Sequence, residues 1–128
     1  MILQVLPDSA VFDSNILIDF LNGQPDAFRT FAMVKERYIS VVARAEVLSG
    51  ARDPHSMATA HRLLGQCRMI DVDSVIADTC AALRQRSRLK LPDALIGATA
   101  LVLELPLLSR DEGMIDAGIG AIIPYRLD

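Results

Sequence analysis

Short runs of apolar residues alternate along this chain with longer stretches whose apolar positions recur at helical spacing. Residues 10–13 read as a buried strand that closes on an acid, Asp13. Ser14 and Asn15 can start a helix carrying Ile16, Leu17, Phe20 and Leu21, with Gly23 as its stop. A second helix is predicted from Pro25 and Asp26, and its Phe28, Phe31 and Ala32 follow the i, i+3, i+4 rule for one buried stripe. Residues 38–40 are strand-like, and residues 42–49 helical up to Gly50. Pro54 opens a helix with Met57, Ala60, Leu63 and Leu64 facing inward, and Met69 and Ile70 suggest another short strand. Asp73 or Ser74 caps a helix bearing Ile76, Cys80 and Leu83. An almost wholly apolar helix follows over residues 91–104, with Pro92 in its first turn. Leu107 and Leu108 form a strand ending at Ser109, and residues 121–123 make the last one. The alternation predicts an α/β fold: a mainly parallel sheet with helices on both faces.

Bulk properties narrow the function classes. A chain of 128 residues fits one domain, residues 1–128 with a leader at 1–9, and 52% apolar residues exclude a disordered chain. No apolar run approaches the roughly 20 residues of a membrane helix. The opening segment has no basic flank or small-residue cleavage site, so no signal peptide is expected. Cys67 and Cys80 form no Cys-x-x-Cys pair and read as reduced thiols of a cytoplasmic protein. A net charge of -3 argues against gripping a polyanion by bulk electrostatics. Metal ions or a local basic patch must supply that attraction, and Arg84, Arg86, Arg88 and Lys90 are the candidate patch.

In parallel sheets of this kind ligands bind beyond the carboxyl ends of the strands. Asp13 and Asp111 both fall there. Each candidate acid also has a local explanation. Asp13 can cap a helix, Glu46 can be a polar surface position, Asp93 sits in a first turn where the helix dipole favours it, and Asp111 can be a turn residue. Together they suggest a magnesium or manganese site. Hard divalent cations take oxygen ligands, and clustered carboxylates repel one another unless a cation lies between them. Such ions activate water and stabilise charge on a phosphodiester. His55 and His61 do not share a helix face, so zinc is not indicated, and Gly118-Ile119-Gly120 is too short for a phosphate loop.

Four segments carry a family resemblance: Val11-Phe12-Asp13-Ser14-Asn15-Ile16-Leu17-Ile18, then Ile39-Ser40-Val41-Val42-Ala43-Arg44-Ala45-Glu46-Val47-Leu48-Ser49-Gly50, then Leu91-Pro92-Asp93-Ala94-Leu95-Ile96-Gly97-Ala98-Thr99-Ala100, and finally Leu107-Leu108-Ser109-Arg110-Asp111. In order and spacing the chain resembles a PIN domain of the VapC-type toxin ribonucleases. The resemblance implies a three-layer α/β/α fold and a metal-dependent endoribonuclease using Mg²⁺ or Mn²⁺. It gives Asp13, Glu46 and Asp93 the places of the metal-binding acids and Asp111 that of a fourth, more variable one. Asn15 and Ser109 take the places of polar residues that orient carboxylates or water. An RNA substrate, a cognate antitoxin and a homodimer are the implied partners. The final motif departs from the usual Asp-Phe continuation, so Glu112 and Asp116 compete with Asp111 for the fourth place. A module that binds antitoxin or RNA without cutting is the alternative. A phosphoryl-accepting domain is disfavoured, because Phe12 stands where a paired acid is needed and Pro124-Tyr125 where a lysine is.

Overall fold

A computed structural model of the chain describes residues 5–127. Five strands, β1 (Ser9–Phe12), β2 (Glu36–Ser40), β3 (Arg68–Ile70), β4 (Leu107–Leu108) and β5 (Ala121–Ile122), form one sheet in the order β3-β2-β1-β4-β5. Every pairing is parallel. The helices are α1 (Ser14–Leu21), α2 (Pro25–Met33), α3 (Val41–Ser49), α4 (Pro54–Leu64), α5 (Ser74–Gln85), α6 (Leu91–Leu103) and α7 (Glu112–Asp116).

The two-residue period of the strands sorts the core into two layers. Ala10 and Phe12 of β1 and Leu108 of β4 face a cluster built with Ile16 and Leu17 of α1, Phe31 of α2 and Leu63 and Leu64 of α4. Val11 and Leu107 point the other way, toward Cys80 and Leu83 of α5, Ile96 of α6 and Met114 of α7. Helix α3 serves both layers, giving Val47 to the first and Ala43 to the second. This is the three-layer α/β/α sandwich with a parallel sheet.

Strand order locates the crevice. From β1 the chain moves outward through β2 and β3, then returns to lay β4 on the other side of β1. Strand order therefore reverses between β1 and β4, and the crevice beyond their carboxyl ends is where such sheets bind ligands. Asp13 and the Ser109-Arg110-Asp111 segment flank it.

Three local expectations need correction. In α2 the buried residues are Ala27, Thr30 and Phe31, while Phe28 is 42% exposed and Ala32 is exposed. The helix is turned by about one position, because the Thr30 hydroxyl donates to the Asp26 carbonyl at 2.8 Å and can be buried. Phe28 instead meets Phe20 edge-on at 4.8 Å between centroids. Second, the expected leader is partly woven into the fold. Ser9 opens β1, Leu6 is buried in the first core cluster, and the Asp8 carbonyl accepts the Lys35 and Glu36 N–H groups at 2.9 Å. Its first four residues lie outside the described ones. Third, the departure after Asp111 is a further helix, α7, too short to show periodicity. Among the described residues no helix is long and apolar enough to cross a membrane.

Candidate metal centre

Asp13 follows β1 directly and is the N-cap of α1, its Oδ1 accepting the Ser14 N–H at 2.7 Å. The capping role and the site role coincide. Oδ2 accepts the Ser109 hydroxyl at 2.6 Å and an Asn15 Nδ2–H at 3.4 Å. The residue is only 3% exposed. Burial is the main cause that pushes its carboxyl up from 3.8 to about 6, against the bonds from Ser109 and Ser14; the Asp93 and Glu46 charges add to the rise.

Glu46 reaches the same crevice from α3, a helix started by the Ser40 hydroxyl accepting the Val42 N–H at the end of β2. The Ser14 hydroxyl donates to Glu46 Oε1 at 2.9 Å and lies 3.5 Å from Asp13 Oδ1. Ser14 thus links two of the acids, a role the sequence reading did not assign. Asp93 enters in the first turn of α6. Its carboxyl is also raised, first by burial and then by the charges of Asp111 and Glu46, with Lys90 opposing.

Asp111 is the N-cap of α7, with Oδ1 accepting the Gly113 N–H at 2.8 Å and its own N–H donating to Ser109 Oγ at 3.0 Å. Its rivals point elsewhere. Glu112 is paired with Arg126 at 2.7 Å in solvent, and Asp116 is exposed at the far end of α7. The Asp111 charge, by contrast, bears on Asp93. The four predicted acids are thus linked by pairs: Asp93 and Glu46 bear on Asp13, and Asp111 and Glu46 bear on Asp93. Asn15 and Ser109 join them too: Asn15 Nδ2 donates to Ser109 Oγ at 3.2 Å, and its Oδ1 accepts the Arg110 N–H at 3.2 Å.

The donors suit a hard cation. They are carboxylate oxygens, and burial, with mutual repulsion added to it, lifts Asp13 and Asp93, a cost that a divalent ion would relieve. Among the described residues no three Asp, Glu, His or Cys side chains form a ready-made cage for a metal. Magnesium does not require one, since it keeps several waters and takes one or two carboxylates plus substrate oxygens. Of the histidines, His61 Nδ1 lies 3.3 Å from the Arg44 guanidinium.

The basic stretch borders this region. Lys90 is the N-cap residue of α6, and Arg86 and Arg88 are exposed on the loop before it. That loop lines a cleft of about 400 Å³ with Gly113, Asp116 and Ala117 of the α7 region. Arg84 Nε donates to the Leu89 carbonyl at 3.3 Å and so helps shape the loop.

A second polar cluster went unread in the sequence. Asp19, 5% exposed in α1, accepts Nε and Nη2 of Arg110 and, at 2.7 Å, the hydroxyl of fully buried Tyr125. The available signal was an acid four residues after Asn15 on an otherwise apolar helix, hence on the same face.

Comparison with known proteins supports this architecture. The solved structure of a toxin–antitoxin complex from Klebsiella pneumoniae contains a chain 36% identical to this one, with a TM-score of 0.86 over 93% of this chain and 100% of that chain. FitAcB from Neisseria gonorrhoeae shares the fold at 21% identity and a TM-score of 0.79, over 92% of this chain and 99% of that one. VapBC2 from Rickettsia felis, bound to a DNA fragment from its promoter, does so at 16% and 0.74, over 88% and 95%. No curated protein sequence matches the chain. The PIN domain family model matches residues 10–119, which include all four acids, and the chain belongs to the PIN domain family.

Proposed function

We propose that this protein is the toxin of a toxin–antitoxin pair, an endoribonuclease that hydrolyses RNA with Mg²⁺ or Mn²⁺ held by Asp13, Glu46, Asp93 and Asp111. PIN domains are generally metal-dependent nucleases. The observation that supports the reading is Asp13 buried at the end of β1, held by Ser14 and Ser109, with Ser14 also bonded to Glu46 and the charges of Asp93 and Glu46 bearing on it. The similarity to a toxin–antitoxin complex at 36% identity supports the toxin role and an antitoxin partner.

Asp13, Glu46, Asp93 and Asp111 would hold a divalent cation, which would supply activation of water at neutral pH and an offset to charge on the phosphodiester. The chain's own residues set the geometry. Asp13 is fixed by three donors, so its oxygens need no reorganisation when the ion arrives. Ser14 holds Glu46 in register with Asp13, and Ser109 ties Asp13 to the backbone of Asp111. Lys90 opposes the rise at Asp93, and Arg86 and Arg88 line the cleft against the α7 region; together they would attract the phosphates that the acids alone would repel.

Purified protein with Mn²⁺ should cut RNA at defined sites, and a chelator should stop it. Metal-binding protein that cuts no RNA in a total-RNA panel would favour the alternative of a binding module. Replacing Arg86 and Arg88 together by Glu should weaken RNA binding by roughly tenfold or more and flatten its salt dependence, read from filter binding at several salt concentrations. An unchanged salt slope would remove the loop from the substrate path.

A further inference from the structure

Resting on the metal-site reading above, we infer that Asp19, Arg110 and Tyr125 are positioning residues that set the distance of Asp111 from Asp13. Three parts of the chain meet in this cluster: α1, the turn between β4 and α7, and the segment after β5. Asp19 accepts both Arg110 nitrogens, Nε and Nη2, in the planar fork that fixes orientation as well as proximity. The Tyr125 hydroxyl occupies the remaining direction on Asp19 Oδ2 at 2.7 Å.

Helix α1 holds this turn at a second point. One turn before Asp19, Asn15 accepts the Arg110 backbone N–H, so α1 grips the same turn at two points. The N-cap of that helix is Asp13. Asp13 and Asp111 are therefore spaced through one rigid element, with Arg110 clamped to it on both its backbone and its side chain. Apolar residues would close this corner at least as stably, because a buried ion pair contributes little net stability. A planar clamp supplies direction instead. The bonds also hold Arg110 out of the neighbouring crevice, where its charge would compete with a cation.

The test compares full-length wild type with Asp19→Asn and Tyr125→Phe, each checked for native circular dichroism. Amide hydrogen exchange is followed without metal, and Mn²⁺ affinity is measured by calorimetry. Asp19→Asn should speed exchange at Asp111 and Gly113 at least about tenfold, leave α4 unchanged, and weaken Mn²⁺ binding by roughly 10-fold, as loss of support behind a ligand does. Tyr125→Phe, which removes one hydroxyl and no charge, should move both readouts the same way by less, and it carries the test if the Asn variant does not fold. Folded variants with wild-type exchange and wild-type affinity would overturn the inference, as would faster exchange with unchanged affinity. If wild type binds no Mn²⁺ while exchange still responds, the metal reading fails and the clamp on the turn stands.

Discussion

Asp13→Asn should lower metal-dependent RNA cleavage by about 10²–10³-fold, as expected for removing a group worth a few kcal/mol to the transition state, while leaving the fold intact. The two halves of this expectation have one origin. A carboxylate 3% exposed and facing Glu46 and Asp93 is costly to keep charged. The gap between 3.8 unfolded and about 6 folded corresponds to about 3 kcal/mol. Because the folded value is raised, the native state binds the proton more tightly than the unfolded chain. The penalty is thus absent below pH 4, grows as pH rises from about 4 to about 6, and is fully present above. Metal-free wild type should lose stability over that window, and Asp13→Asn should lack this slope. The amide offers one oxygen where Ser14 and Ser109 both donate, so it forfeits about 1–2 kcal/mol of hydrogen bonding. At pH 7.5 the variant should therefore be about as stable as metal-free wild type or slightly more so. Mn²⁺ should raise the melting temperature of wild type and not of the variant, since only a ligand that binds the native state stabilises it. Urea unfolding at pH 4.5 and 7.5 reads the pH slope, thermal melting with and without Mn²⁺ reads the metal's contribution, and an RNA cleavage assay reads the loss of activity. A variant strongly destabilised at pH 7.5 would show that Asp13 is chiefly structural.

The largest expected effect on stability belongs to the neighbouring residue. Phe12→Ala should cost about 3–5 kcal/mol, a large share of the roughly 5–15 kcal/mol that holds a domain of this kind together. Phe12 is completely buried, packs edge-on against Phe31 at 5.7 Å between centroids, and lies on β1, which pairs with β2 on one side and β4 on the other. No neighbouring element can collapse into the space without bending the sheet. Phe28→Ala, by contrast, should cost less than about 1 kcal/mol, because Phe28 is 42% exposed. Equilibrium urea unfolding distinguishes the two. Equal costs would mean that the α2 face is placed wrongly.

Much of this was legible in the sequence because parallel strands covered on both faces are short, apolar and bounded by caps. Asp13, Ser40, Asp73 and Gly23 each mark an element boundary by a mechanism that acts locally. The four acids were legible for the same reason: three stand at strand ends or helix starts, where local rules already place them. What stayed hidden depends on contacts remote in sequence. Thr30 is buried in place of Ala32 because of a bond to Asp26, which an apolar stripe cannot register. Ser14 meets Glu46 across 32 residues, and Tyr125 meets Asp19 across 106. Helix α7 has five residues, fewer than two turns, so its only signal was Asp111 as a cap.

The central claim is that four carboxylates hold a divalent ion for cutting RNA. Its most direct test is to incubate the purified protein, free of any antitoxin, with total RNA and Mn²⁺ and to map the new ends, beside Asp13→Asn and Asp93→Asn. Wild type should make discrete cuts that vanish with chelator and in both variants, with no 2′,3′-cyclic phosphate ends, since water rather than the ribose 2′-hydroxyl is the nucleophile. Equal cutting by the variants, or cutting that survives chelation and leaves cyclic ends, would contradict it.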